Sequence, residues 1–425
     1  MKKMMLSFSL ILIISMLGLR VFKQEKVLND ELLINELDNM VGVYIEDENG
    51  EYISSSDIPQ KDGGYTFNHA VCENDIEVTW DEENWTLLGP SNATNWKCNL
   101  YFDKSATFLA TKIKEYNKST RTINSIYTDT TTKLVFTTED ESGTSYYFAG
   151  NPTDNWVYFA GFYWRIIRIN GDGSIRLIYN GIDTSQTGET TQINILPFNN
   201  SYRDNAYVGY MYGATGANNY NDTHQNINDS TVKVELDSWY KENIMDKDFD
   251  KYISQEAGFC NDRALSTISR PYYGGLGYGL EKTAYISLDK ISNSNNAALS
   301  VQTPTYTCNN ENDLFTTDES NKGNHALTYP IGLITLDELL YAGAFSGQSN
   351  TDFYLYTNQR YWTMTPANCD GYLIGVFYFR DNGRLDGYGG NVEWGSMGIR
   401  PVINLKSDVQ ISSGIGTSTD PYIIN

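Results

Sequence analysis

Histidine is nearly missing. His69, His224 and His325 are the whole supply in 425 residues, and none stands beside a nucleophile or in a metal-ligand spacing such as HExxH. Most of the chain therefore lacks the commonest general base and the commonest metal ligand. Cysteine is sparse too. Cys72, Cys98, Cys260, Cys308 and Cys369 are too scattered for a zinc site of the CxxC type. Positive charge falls short as well: 31 Lys and Arg face 53 Asp and Glu, for a net charge of -22. That balance excludes a sequence-independent grip on nucleic acid or on an anionic membrane surface, since phosphate contacts need a surplus of Lys and Arg.

Nucleotide-binding spacings are lacking. The run GGLGYGLEK has glycines but neither GxGxxG nor GxxxxGK[ST], so it reads as a tight loop. The twelve-residue calcium-loop pattern is absent, although the Asp-rich runs NYNDTHQNINDS and NENDLFTTDES offer oxygen ligands, which leaves calcium open. No other cofactor or metal ligand is expected. The adjacent acids Asp337 and Glu338 fall in the first turn of an expected helix, where the positive end of the helix dipole accounts for them better than acid–base chemistry does. With no catalytic constellation to assemble, the chain is not expected to be an enzyme.

What is present begins at the N-terminus. MKKMMLSFSLILIISMLGLRVF carries two lysines and an apolar run from Met4 to Leu19 that stops at Arg20, the signature of an export signal over 1–20. The run is long for a cleavable signal and short for an ordinary membrane span, and no small-x-small cleavage site follows. These features favour an uncleaved anchor on the extracellular face of the membrane, with cleavage and secretion as the alternative. Val27, Leu28, Leu32, Leu33, Leu37, Met40 and Val41 then recur at helical spacing and predict an amphipathic stalk helix over 21–42.

Alternating apolar and polar residues between turn signals predict a small β module over 43–103. Export favours disulfides, and Cys72 is expected to pair with Cys98, and Cys260 with Cys308, leaving Cys369 over. In the chain-entropy model each bridge contributes roughly 3 to 4 kcal/mol; reduced thiols acting as small core residues are the alternative. The Thr-rich, polar segment over 104–143 reads as a connector that includes a helix at SATFLATKIKEY. From 144 to 425 strands dominate, with a hairpin turn at NGDGS between FYWRIIRI and IRLIYNG. Two helices interrupt them: STVKVELDSWYKENI, capped by Asp229 or Ser230, and ITLDELLYAG, where Thr335 and Glu338 have capping-box spacing and Gly343 follows the last turn. The fold class is α+β.

The segments NWVYFAGFYWRIIRINGDGSIRLIYNG, YVGYMYG, DSWYKENI, GFCNDRALS, LTYPIGLITLDELLYAG, YWTMTPA and GIRPVINLKSD resemble a family of exported surface proteins of Gram-positive bacteria. Members join an N-terminal membrane or pilin-like segment to a C-terminal C-type-lectin-like domain, related in shape to the formylglycine-generating enzyme. Trp362, Pro366 and the closing Gly398, Ile399, Arg400 and Pro401 are similar to the frame around the variable region of proteins diversified by retroelements. The resemblance implies a C-type-lectin-like fold for 144–425 and a rigid frame displaying ligand-contacting residues. The enzyme's paired cysteines are not matched, since Cys369 stands alone in the tract.

Between Pro366 and Gly398 the composition changes to glycines interleaved with rings and charges. Tyr and Trp offer large contact area at small entropic cost, and Gly, Ser and Asn offer adaptable hydrogen bonding, as in antibody paratopes. Tyr372, Arg380, Arg384, Asp386, Tyr388, Asn391, Glu393 and Trp394 are therefore the candidate ligand-binding residues, while Trp362, Pro366, Arg400 and Val402 are expected to be structural. An ordinary glycine-rich hairpin is the competing reading. The chain reads as a surface or secreted binding protein whose partner is a protein or glycan; an enzyme of the same fold acting on exported peptides or cell-wall glycans, and a structural surface or pilus-associated subunit, are the alternatives.

Overall fold

The computed structural model describes residues 41–47, 50–61, 64–89, 97–105, 107–185, 187–385 and 387–424. The expected anchor over 1–20 and all but the end of the expected stalk over 21–42 lie outside them. Val41 and Gly42, assigned to the stalk, instead open a strand, Val41–Glu46, because VGVYIE places Val41, Val43 and Ile45 on one face at a period of two. The chain divides into two compact units between Ala106 and Thr107.

In the first unit four strands hydrogen-bond in the order Tyr52–Ser55, Val41–Glu46, Cys98–Lys104, Tyr65–Cys72, with the middle pair parallel. Cys98, Leu100 and Phe102 alternate inward and join Val43 and Trp80 in a small core. The Phe67 ring stacks on Trp80 with centroids 4.9 Å apart. Cys72 and Cys98 face each other across antiparallel strands and are disulfide-bonded, as expected. A core this thin gains most from such a staple.

The second unit is α+β and strand-dominated. Its main sheet runs Val402–Leu405, Ile175–Tyr179, Phe162–Ile169, Gly143–Tyr147, Leu134–Asp140, Asn117–Ser119, and Trp156–Phe159 pairs with both Phe162–Ile169 and Tyr422–Ile423. The NGDGS hairpin forms where expected, with Gly173 at a φ of 87°. A second sheet runs Asn194–Ile195, Gly398–Ile399, Tyr361–Cys369, Ile374–Phe379, Gly390–Asn391, and Thr283–Ala284 also pairs with Tyr361–Cys369. Every residue of Tyr361–Cys369 and Ile374–Phe379 is buried, so the start of the glycine-rich tract is core.

Both expected helices are present. Ser230 caps Thr231–Asn243, which buries Val232, Leu236 and Tyr240, with Ile244 buried just beyond its end. Thr335 and Glu338 form a reciprocal capping box at the start of Leu336–Ala342, and Gly343 ends it at a φ of 133°; such a cap stabilises by about 1 kcal/mol. Cys260 and Cys308 are bonded, and Cys369 is free and buried.

Residues 104–143 are not a connector. Thr107–Phe108 pairs with Gln410–Ile411, the Leu109–Lys114 helix buries Leu109, Ala110 and Ile113, and Leu134–Asp140 is an inner strand of the main sheet. The second unit accordingly begins at Thr107 and not at residue 144. Threonine is β-branched and suits a half-buried pleated surface, so a Thr-rich run is compatible with strands as well as with a linker.

Candidate functional site

The tract between Pro366 and Gly398 hangs from two buried anchors. Trp362, fully buried, donates its indole N–H to the Leu196 carbonyl at 3.0 Å. Arg400, 1% exposed, donates to the carbonyls of Tyr179 and Leu355 and to Asn180 Oδ1, with its guanidinium 4.9 Å from the Tyr361 ring centroid. A guanidinium is always charged and carries several donors in a fixed fork, so this arrangement ties the tract's closing end to two neighbouring segments. Both residues are structural, as their flanking positions led us to expect.

Between the anchors, Tyr372, Tyr388 and Trp394 are 57%, 52% and 42% exposed. Arg384 and Glu393 are exposed and Arg380 is half-buried. Asn391 departs from expectation. It is only 6% exposed because it pairs with Gly375 as a strand residue. Its side-chain N–H donates to Glu393 Oε1 at 3.1 Å, while its Oδ1 has no hydrogen-bond partner among the described residues. Asp386 lies outside the described residues.

Three of the candidates come together. Tyr388, Asn391 and Trp394 line an open groove of about 270 Å³ with Tyr273, Asn368 and Asp370, and glycines 375, 389 and 390 share its lining. Glycine is required there. Gly389 has a φ of 70° and a Cβ on it would stand 2.7 Å from the Ala367 Cβ, while a Cβ on Gly390 would meet the Tyr378 ring at 2.9 Å. Trp394 is held in place: its amide donates to the Asn391 carbonyl at 2.9 Å, and its ring meets Tyr378 edge to face at 6.1 Å. Arg380 Nε in turn donates to the Tyr378 hydroxyl at 3.0 Å, so this arginine supports the platform rather than lining the groove. Its amide also donates to the Arg384 carbonyl at 3.1 Å, closing the 380–384 turn. Tyr372 stands apart from the groove, edge-on to Tyr202 at 5.8 Å, with the Arg203 guanidinium 5.6 Å from its ring.

One contributor escaped the sequence reading. The loop PYYGGLGYGLEK, expected to be merely a tight turn, presents Tyr272 at 72% exposure together with exposed Leu276 and Leu280, and sets Tyr273 in the groove wall. Its Tyr and Gly content matches that of the tract and was the available signal. The loop is shaped from below. Buried Asn205 donates to the carbonyls of Tyr278, Gly279 and Glu281, and the His224 ring donates from Nε2 to the Gly277 carbonyl at 2.7 Å. His224 is buried, unlike a solvated loop histidine. Burial, reinforced by Arg263 nearby, pulls its pKa down to about 3, so the ring is neutral at ordinary pH.

The Asp-rich runs spend their oxygens internally. Asp313 lies in a buried pair with Arg263, and Asn219 and Asp222 hydrogen-bond each other at a helix start. Among the described residues no group of three or more His, Cys, Asp or Glu is placed to hold a metal ion. Burial raises the Cys369 thiol to about 11, which leaves it protonated and unreactive. A second, small concavity of about 60 Å³ is lined by Arg168, Arg176, Lys290, Asp140, Asp262, Asp337 and Glu338, whose charges largely engage one another. No protein-family model, no curated protein and no solved structure matches this chain.

Proposed function

We propose that the chain is a recognition protein of the cell exterior, exported through its N-terminal segment and either anchored by it or secreted, which binds a macromolecule through the groove of Tyr273, Tyr388, Asn391 and Trp394 without turnover. In this reading the second unit is a C-type-lectin-like domain, and the tract it carries is of the kind that retroelements diversify. The observation that carries the reading is a contrast within one short span: Tyr388 and Trp394 stay half open to solvent while the strands immediately before them are wholly buried. Aromatic rings gathered with glycines at one exposed groove are what recognition surfaces present. The separate cluster of Tyr372, Tyr202 and Arg203 extends the same face in this proposal.

The test is capture from arrays of surface proteins and of glycans by the full chain. Replacing Tyr388 and Trp394 together with Ala is expected to abolish capture with Tm nearly unchanged. Undiminished capture by the double variant, or a large fall in Tm, refutes the assignment.

A further inference from the structure

The ligand class can be narrowed, on the premise that the groove is the recognition site. We infer that it binds a neutral oligosaccharide, one ring stacked on the Trp394 indole and the chain continuing past Tyr273.

A sugar ring offers a flat face of C–H groups and an edge of hydroxyls, so a site for it needs a fixed aromatic surface with short polar groups beside it. Trp394 is such a surface, braced by Tyr378 and tied by its own amide to Asn391. Asn368, Asp370 and Asn391 are the short polar groups lining the same groove. Asn391 contributes more than proximity. Its side-chain N–H serves the Glu393 carboxylate, and its Oδ1 is a buried acceptor with no partner among the described residues, which in this proposal a sugar hydroxyl satisfies on entering the groove.

Charge and size select within the class. Asp370 lines the groove and Glu393 borders Asn391, whereas the nearby guanidinium of Arg380 is engaged with Tyr378. That balance disfavours sulfated, phosphorylated or sialylated chains, which need an excess of donors and positive charge. The volume suits a single ring, but a second concavity of about 510 Å³, walled by Tyr272, Leu280 and Lys282, shares Tyr273 with the first. In this proposal a chain longer than one ring passes Tyr273 from the first concavity to the second.

The experiment titrates the full chain with cello-oligosaccharides and chito-oligosaccharides of increasing length, reading the heat of binding by calorimetry, and applies it to an array of neutral, sialylated and sulfated glycans and to a parallel array of proteins. Neutral glycans are expected to bind with affinity rising with length, and Trp394→Ala to weaken them by about tenfold or more. Asn391→Leu is expected to weaken binding with the melting temperature nearly unchanged. Exclusive binding of the anionic glycans overturns the inference. No glycan binding, alongside capture of a protein that Trp394→Ala abolishes, overturns the saccharide class and leaves the recognition reading standing. Absence of capture on both arrays overturns both. Circular dichroism of each variant separates a lost ligand contact from a lost fold.

Discussion

Lys290 Nζ lies 2.9 Å from Asp337 Oδ1, with both side chains buried behind the first turn of the Leu336–Ala342 helix. Asp262 stands 3.9 Å from the same ammonium, and the Thr305 amide donates to Asp337 at 2.8 Å. Burial alone would lower the pKa of Lys290, but Asp337 and Asp262 outweigh it and hold the ammonium above its ordinary value. Asp337 is therefore more than a dipole-favoured residue at a helix start. Removing one partner, as in Lys290→Ala, is expected to cost about 3–5 kcal/mol in urea unfolding, because a buried carboxylate is left uncompensated. The double variant Lys290→Met with Asp337→Leu is expected to lose less than the single change. A single change that costs under about 1 kcal/mol refutes the pairing.

His224 sets a pH signature. Its folded pKa, lowered to about 3, lies below the value near 6.5 expected in the unfolded chain, so the unfolded state binds the extra proton between the two. Stability is fully present above about pH 6.5 and declines as pH falls toward 3. His224→Asn keeps a donor for the Gly277 carbonyl and removes the titration. Its unfolding free energy should be flatter than the parent's over that window; parallel profiles would show that the histidine is not buried neutral.

Arg400 should resist conservative replacement. Arg400→Lys keeps the charge but cannot reproduce the fork that reaches Tyr179, Leu355 and Asn180 together. A loss of about 3–5 kcal/mol is expected from the orphaned acceptors and the misplaced charge, measured by thermal and urea unfolding. A variant as stable as the parent would show that the anchor is dispensable.

The two disulfides should differ in what they hold. Opening Cys260–Cys308, which spans 48 residues, is expected to cost the second unit about 4 kcal/mol in the chain-entropy model. Opening Cys72–Cys98, which spans 26, is expected to cost about 3.5 kcal/mol in a unit whose core is much smaller. Hydrogen exchange on the serine variants reads this directly. Loss of Cys72–Cys98 should release protection in the first unit at milder conditions than loss of Cys260–Cys308 releases it in the second.

What could be read from the chain beforehand was whatever is encoded within a few neighbouring residues. Ser230, Thr335 and Glu338 cap helices through bonds spanning three positions, and the alternation of VCE and KCNLYF marks strands on either side of Cys72 and Cys98, although it is the antiparallel register that sets the two opposite each other. Long-range pairing was not legible. The Asn117–Ser119 strand is exposed throughout, and only its parallel pairing with Leu134–Asp140 makes it part of a sheet. Within the site, the exposure of Tyr372, Tyr388 and Trp394 followed from composition, whereas the burial of Asn391 depends on a ladder to Gly375 that composition does not reveal. Tyr273 was missed for the same reason: ninety-odd residues of chain separate it from the groove it walls, and the pairing of Thr283–Ala284 with Tyr361–Cys369 helps bring its loop alongside.

The crowding around Gly389, Gly390 and Gly398 divides the tract into letters that can be rewritten and letters that cannot. A Cβ on Gly398 would fall 1.6 Å from Gln192 Oε1, whereas the side chains of Tyr388 and Trp394 are about half open to solvent. A combinatorial library built on this scaffold should therefore randomise the aromatic positions freely and leave the glycines alone, and clones recovered from selection should carry that division as a barcode of fixed and shuffled sites.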